Sequence, residues 1–370
     1  MQLLKITAAI GLLSSVVAAG NPAVVSTTET ALPTLFNGPL YQNFISSVNG
    51  TVNGAPRPDG TVVTIPTRYY PSTTGATKNT IVMVNGHTES FIRYREMIYD
   101  FNQNGFNVLT FDHRGQGFTQ PRLGCTPDYT SDVDSFANYI SDMDAVVKAG
   151  QAGLVAGHNL LLWAHSMGGG IGAGHLEQYP NTFKAAVLSS PMLSLNTDPY
   201  PSIAALPLDL LVELFGGPCA LAPGQQGPPS NAIYGTNATS FAQAVTTSSF
   251  TRFSVLNQPY WQFPSTMIGG VDARWIQESM LSVQKIASSG SKVTIPVSMH
   301  SSGNDAFVTS DGQNLFCNGL SVLGIPVVKG AKQCTITKHP TARHEVHNEV
   351  DSIRTGYMQQ VITFFRQYSV

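Results

Sequence analysis

Residues 161–172 read Leu-Leu-Trp-Ala-His-Ser-Met-Gly-Gly-Gly-Ile-Gly, an apolar run that breaks into small residues around one serine. Ser166 has Ala164 and Gly168 two positions to either side, close to the Gly-x-Ser-x-Gly pattern in which a turn is too tight for larger side chains. A serine hydroxyl is a poor nucleophile until a positioned base takes its proton, and that base needs an acid to orient it. In a strand–turn–helix elbow of this kind the acid and then the histidine follow the serine in the chain. Asp305 meets the first condition, in the glycine-containing turn Ser301-Ser-Gly-Asn-Asp-Ala-Phe-Val308. His344 meets the second, in the loop between an apolar strand and the last helix.

Nine histidines compete for the role of base. His87, His113, His158, His165, His175 and His300 precede Asp305 and break the order, which leaves His339 and His347 as rivals to His344. Acyl transfer also needs donors for the oxyanion. The backbone N–H of Met167, directly after the nucleophile, supplies one. The loop Asn85-Gly-His-Thr-Glu89 offers the second through the N–H of His87, with Gly86 letting the backbone turn close to substrate.

These loops need strands to carry them. Residues 61–67 and 80–84 are β-branched runs, 107–111, 160–164 and 185–189 are further apolar strands, and 293–299 and 334–338 follow late in the chain. Helical spacing fills the intervals at 91–103, 133–149, 167–179, 273–287 and 312–320, and residues 350–368 close the chain as an amphipathic helix. Strands alternating with helices imply an α/β fold, with a mostly parallel central sheet covered by helices on both faces. The rhythm breaks at 192–270, rich in Gly and Pro, which reads as a cap inserted after the sixth strand. Residues 20–51 read as irregular surface packing. The expected organisation is a core of 20–191 and 271–370 with the cap at 192–270.

The chain opens with Lys5 and an uncharged run from Ile6 that ends Val17-Ala18-Ala19. It is too short to span a bilayer and reads as a signal peptide, residues 1–19, of a secreted protein. The sequons at Asn49 and Asn237 suit glycosylation in that setting. Four cysteines then suggest two disulfides, with three connectivities open. The expected choice is Cys125–Cys219 and Cys317–Cys334. Charged residues make up only 11% and the net charge is −2, so no basic field exists to hold nucleic acid.

Six motifs carry a resemblance: Asn85-Gly-His-Thr-Glu89, Phe111-Asp-His-Arg-Gly-Gln-Gly117, Ala164-His-Ser-Met-Gly-Gly169, Ser190-Pro-Met192, Gly303-Asn-Asp305 and Ala342-Arg-His-Glu345. In this order they resemble the α/β-hydrolases of the monoacylglycerol lipase and lysophospholipase group, often labelled serine-aminopeptidase-like. The Asp-His-Arg-Gly-Gln-Gly and Ala-Arg-His-Glu runs resemble the bacterial lysophospholipase branch in particular. The resemblance implies the α/β-hydrolase fold and hydrolysis of carboxylic esters of single-chain lipids through Ser166, His344 and Asp305, without metal or organic cofactor. Two departures stand out: Ala164 replaces a glycine, and Asn85 replaces the histidine usual before Gly86. Asp112 and Arg114 are expected to brace loops near the site.

Rival chemistries fit less well. Gly168-Gly-Gly-Ile-Gly-Ala173 spells a dinucleotide fingerprint, but the next strand runs into Ser189-Ser190-Pro191, with no acid from its end until Asp198. His344 and His347 are three apart, which misses the zincin spacing of four. A binding protein that kept the fold and lost the chemistry would not need all of Ser166, Asp305 and His344. Aminoacyl amides or other small esters remain alternative substrates. Within the cap, residues 207–215 are expected to form a helix starting at Pro207, with Leu208, Leu211, Val212 and Phe215 on one face. Leu208, Leu211 and Phe215 would hold an acyl chain or touch a micelle or membrane surface, or else pack the cap onto the core. The sequence leaves the oligomeric state open.

Overall fold

The computed structural model describes residues 22–122, 125, 127–198, 202–322 and 325–370. The signal-peptide reading of residues 1–19 lies outside them. Eight strands form one sheet in the order β1-β2-β4-β3-β5-β6-β7-β10. They are β1 (Val48–Pro56), β2 (Val62–Tyr70), β3 (Asn79–Val84), β4 (Asn107–Phe111), β5 (Asn159–His165), β6 (Ala186–Ser189), β7 (Val297–Ser302) and β10 (Cys334–His339). From β4 to β10 every neighbouring pair is parallel, while β1 pairs antiparallel with β2 and β2 antiparallel with β4. A small antiparallel pair, β8 (Leu320–Val322) and β9 (Ile325–Val328), stands apart.

Helices α1 (Leu32–Phe36) and α2 (Pro39–Ile45) precede the sheet. Helices α3 (Arg95–Gln103), α4 (Phe136–Ala152) and α5 (Ser166–Gln178) connect its central strands. Helix α6 (Ser202–Gly216) and the short α7 (Asn231–Tyr234), α8 (Ala238–Phe241), α9 (Phe250–Leu256) and α10 (Gln258–Gln262) lie between β6 and α11 (Ala273–Ala287). Helices α12 (Ser310–Asn318) and α13 (Asp351–Gln367) complete the chain. Every residue of β3, β4, β5 and β6 is buried, as expected of strands covered on both faces. Besides a small cluster between α1, α2 and α9, side chains of alternating direction form two apolar clusters on the two faces of the sheet. One holds Val82, Leu162 and Leu188 with α4 and α5, the other Ile81, Trp163 and Val187 with α3 and α13.

Differences from expectation have local causes. Residues 20–51 are not wholly irregular: Leu32, Phe36, Leu40 and Phe44 bury their side chains on α1 and α2, and β1 begins at Val48. Residues 293–296 stay outside β7, which runs further, to Ser302. Helix α6 starts at Ser202 and carries Pro207 inside it rather than in its first turn. The apolar run before the proline extends the helix, and only one backbone donor is lost there. Disulfides join Cys125 to Cys219 and Cys317 to Cys334. No helix among the described residues is long and apolar enough to cross a membrane.

Candidate active site

Strand β5 ends at His165 and α5 begins at Ser166 with no intervening loop, so the serine sits at the turn itself with φ of 53°. A non-glycine residue in that conformation is strained, and the packing around it explains why it persists. A side chain at Gly168 would place its Cβ 2.3 Å from the Asn85 carbonyl oxygen, so β3 and α5 approach closely only through a glycine. The extra methyl of Ala164 is absorbed on the facing side of the helix, where a Cβ at Gly172 would come within 3.2 Å of it. The Ser166 carbonyl accepts from the Met192 N–H at 2.8 Å, which pins the turn to the loop after β6.

The structure brings the three expected residues together. Ser166 Oγ lies 2.8 Å from His344 Nε2, and His344 Nδ1 lies 2.8 and 2.9 Å from the two Asp305 oxygens. Asp305 in turn accepts from the backbone N–H groups of Phe307 and Val308. Burial pushes the Asp305 carboxyl up, but His344 and these donors outweigh it and hold the group below the usual carboxylate range. Burial likewise pushes the His344 imidazole down, yet Asp305, Glu345 and Glu89 outweigh it, so His344 titrates above the ordinary histidine value. The rival histidines face elsewhere. His339 Nε2 meets His300 Nδ1 at 3.0 Å, and His347 stacks on Tyr94 and against Trp163.

Met167, second residue of α5, has an N–H in the first turn, where intrahelical acceptors are lacking. Across from it the 85–89 loop is fastened from behind. The Glu89 carboxylate accepts from the Gly86 N–H at 2.5 Å and from the Tyr94 hydroxyl. Gln116 Nε2 donates to the carbonyls of Gly86 and Glu89 at 2.8 and 2.9 Å. Tyr234 donates to the carbonyl of Thr88, whose φ is 64°. His87 lines the same cavity as Ser166, its ring 4.5 Å from Trp275 and its Nε2 2.6 Å from Ser131 Oγ. Burial pushes His87 down to about 3, so its ring is neutral near pH 7.

Asn85, where the resemblance expects histidine, donates to Asp112, and its carbonyl meets His113 Nε2 at 2.9 Å. Asp112 also accepts from Ser90 and from the N–H groups of Phe91 and Phe118, whereas Arg114 binds Asp134, Asp142 and the Ala55 carbonyl. Both residues brace loops as expected, though not by pairing with each other.

One residue that the sequence reading did not single out is Arg93. Its guanidinium stands 3.5 Å from Glu89 and 2.8 Å from Glu345, and all three side chains are buried. Arg93 therefore ties the loop after β3 to the residue beside His344. The i,i+4 spacing of Glu89 and Arg93 was the available signal; the link to Glu345, 252 positions away, had none in one sequence. Glu89, His165 and His347 also offer atoms within 4.8 Å of one another that could face a metal ion. A cation there would meet the fixed charge of Arg93, which already neutralises Glu89. In the second such group, Cys125, Asp132 and Asp272, the sulfur is taken by Cys219.

The cavity over Ser166 has a volume of about 620 Å³. Leu195, Val271, Trp275, Ile276 and Val308 give it an apolar wall. Leu208, Leu211 and Phe215 do not line it. Helix α6 packs on α11, with Gln277 donating to Glu213, and turns Leu211 (52% exposed) and Phe215 (84% exposed) to solvent. The acyl-binding expectation for these three residues is thus corrected. Asn49 and Asn237 are both exposed, and the Asn237 side chain caps α8.

A profile of the family described as "Serine aminopeptidase, S33" matches residues 75–351. The chain belongs to this family of α/β-hydrolases. The hydrolase is 27% identical to Lysophospholipase L2 of Escherichia coli (strain K12) over 309 residues, which is 82% of this chain and 85% of that protein. It is 28% identical to Monoacylglycerol lipase of Mycolicibacterium smegmatis over 133 residues, 35% of this chain and 43% of that one. Among solved structures, a soluble variant of monoglyceride lipase from Saccharomyces cerevisiae, in complex with a substrate analog, matches with a TM-score of 0.64. It does so at 18% identity over 88% of this chain and 96% of that one, a likeness of fold.

Proposed function

We propose that the hydrolase is a secreted serine esterase that cleaves single-acyl-chain lipids, a monoacylglycerol or lysophospholipid, through an acyl-enzyme. The relay from Asp305 through His344 to Ser166, at the floor of a cavity with one apolar wall, is the observation that carries this reading. His344 takes the Ser166 proton as the hydroxyl attacks the acyl carbon. The N–H groups of Met167 and His87 receive the negative charge on the carbonyl oxygen. His344 then gives its proton to the leaving alcohol, and water repeats the sequence to release the acid. Asp305 keeps the imidazole in the right tautomer and stabilises its protonated form throughout.

The disulfide between Cys125 and Cys219, which fastens the chain after α6 to the segment preceding α4, supports a confined pocket and one acyl chain rather than three. The solvent-facing side of α6, with Leu210, Leu211, Leu214 and Phe215 all more than half exposed, supports transient contact with a micelle or membrane surface. The short uncharged N-terminal run and the two exposed sequons support export and glycosylation.

Turnover of a substrate panel by the wild type and by Ser166→Ala tests the reading. Long-chain monoacylglycerol and lysophospholipid should be cleaved well, triacylglycerol and aminoacyl amides poorly, and Ser166→Ala should lose on the order of 10⁴-fold or more on all of them. A clear preference for aminoacyl amides or insoluble triacylglycerol would overturn the substrate assignment. Undiminished turnover by Ser166→Ala would overturn the mechanism.

A further inference from the structure

The oxyanion donor His87 is held through its ring as well as through its loop. Its Nε2 meets Ser131 Oγ at 2.6 Å, and the ring lies 4.5 Å from that of Trp275. Ser131 belongs to the segment before α4, and Trp275 to the first turn of α11. Backbone hydrogen bonds zip these two segments together. The Ser131 N–H donates to the Gly270 carbonyl and the Asp272 N–H to the Ser131 carbonyl, both at 3.0 Å. Gly270 and Val271, between them, line the cavity.

At this junction stand two buried carboxylates, Asp132 and Asp272, 2% and 0% exposed. They and the Cys125 sulfur offer atoms that all lie within 4.8 Å of one another. That sulfur is bonded to Cys219, so it sets an uncharged, protonless wall against both acids. Arg274 donates from Nε and Nη2 to the two oxygens of Asp132, whereas Asp272 accepts from the Trp275 N–H at 2.8 Å. Two ionised carboxylates this close and out of water repel more than one guanidinium offsets, so the pair keeps a proton. Burial first, and then the charge of Asp132, push Asp272 up to about 8, against the Trp275 N–H and Arg274. Of the other groups facing the cluster, burial keeps Tyr139 on α4 and His87 neutral, and Glu213 on α6 acts on Arg274.

We propose that Asp132 and Asp272 are a positioning pair for the oxyanion hole: one shared proton clamps the segment before α4 to the start of α11 and so fixes His87. Asp272 gives the proton to Asp132 while accepting from Trp275, which ties both supports of the His87 ring at one point. Loss of the proton leaves two like charges facing each other across the junction, and Ser131 and Trp275 are pushed apart. The clamp needs the proton, so turnover is full below about 8 and falls as pH rises through it. The inference rests on the esterase reading above and extends it to two residues that do not touch substrate.

The test measures kcat and KM for p-nitrophenyl butyrate from about pH 6 to 10, with tryptophan fluorescence followed over the same range. In the wild type kcat should fall roughly tenfold on the alkaline side with KM little changed, less than the 10²–10³ of a donor removed outright. The fluorescence should step at the same midpoint, because Trp275 is bonded to Asp272. Asp272→Asn replaces the shared proton by an amide that donates to Asp132 at every pH, so the alkaline fall and the fluorescence step should both vanish. Asp272→Ala removes the clamp and should stay near the wild type's alkaline level throughout. Ser131→Ala keeps the pair but cuts its contact with the His87 ring, and should lower kcat severalfold. A purely structural role would leave the alkaline limb in place in Asp272→Asn, and that result would overturn the proposal. So would a wild-type kcat that stays flat to the end of the range, or an unchanged kcat in Ser131→Ala. Failure to cleave the ester at any pH would bring down the esterase reading, whereas the fluorescence step reports the pair independently of turnover.

Discussion

His344 is held between two opposing influences, and the outcome fixes how activity should depend on pH. Burial alone would favour the neutral ring, but Asp305 at 2.8 Å, with Glu345 and Glu89 behind it, favours the charged one and prevails. The base must be neutral to accept the serine proton, so activity rises as pH passes upward through a value above the ordinary 6.5 of histidine. A kcat/KM profile on an uncharged ester should therefore reach half its plateau above pH 6.5, and a midpoint below 6 would contradict the arrangement. In Asp305→Asn the principal raising influence is gone, so the midpoint should move down while the rate falls. At this scale the sequence was most readable. Residue order and small neighbours singled out Ser166, Asp305 and His344, because an elbow, a turn and a loop at strand ends leave local signatures. Arg93 left only its i,i+4 spacing to Glu89, since its tie to Glu345 spans 252 positions of chain.

The elements that carry these residues meet through a buried charge cluster. Arg93, just ahead of α3, neutralises Glu89 on the loop after β3 and Glu345 beside His344. Replacing it by methionine strands two carboxylates out of water, which costs about 3–5 kcal/mol. Thermal or urea unfolding of Arg93→Met should report a loss of that order, and a change under about 1 kcal/mol would mean that water reaches the cluster. Helix α6 shows how element-level reading fails. Apolar spacing located a helix there but could not say which side faced the protein, and Pro207 suggested a start that the preceding apolar run overrode. With Leu214 74% and Phe215 84% exposed, their replacement by serine should reduce cleavage of substrate in vesicles severalfold and leave a soluble short-chain ester unaffected. Equal loss on both would mean that α6 does not meet the lipid surface. The β3, β4 and β5 strands were legible as unbroken apolar runs. The short helices α1 and α2 and the polar strand β1 were not, because their few buried side chains are scattered among Asn, Ser, Gly and Thr.

For the molecule as a whole, sheet and cap converge at the carboxyl ends of β3 and β5, on either side of which the chain winds in opposite directions. Alternating strand and helix patterns were enough to foresee that parallel centre. The antiparallel edge and the path of the chain between β6 and α11 depend on long-range pairing that one sequence does not display. The Cys125–Cys219 link spans 94 positions and anchors that path. Cys219→Ser, at an exposed site, should lower unfolding stability by about 2–5 kcal/mol, read as a drop in melting temperature that reductant reproduces in the wild type. An unchanged melting temperature would mean that the link constrains little of the unfolded chain. The central claim is that a single activated serine does the chemistry, and the most direct measurement is titration with a serine-directed fluorophosphonate followed by peptide mass analysis. The account predicts one label per chain, on Ser166, with activity falling in proportion to labelling and neither effect in His344→Ala. Full activity in the labelled protein, or a label on another residue that accompanies the loss, would contradict it.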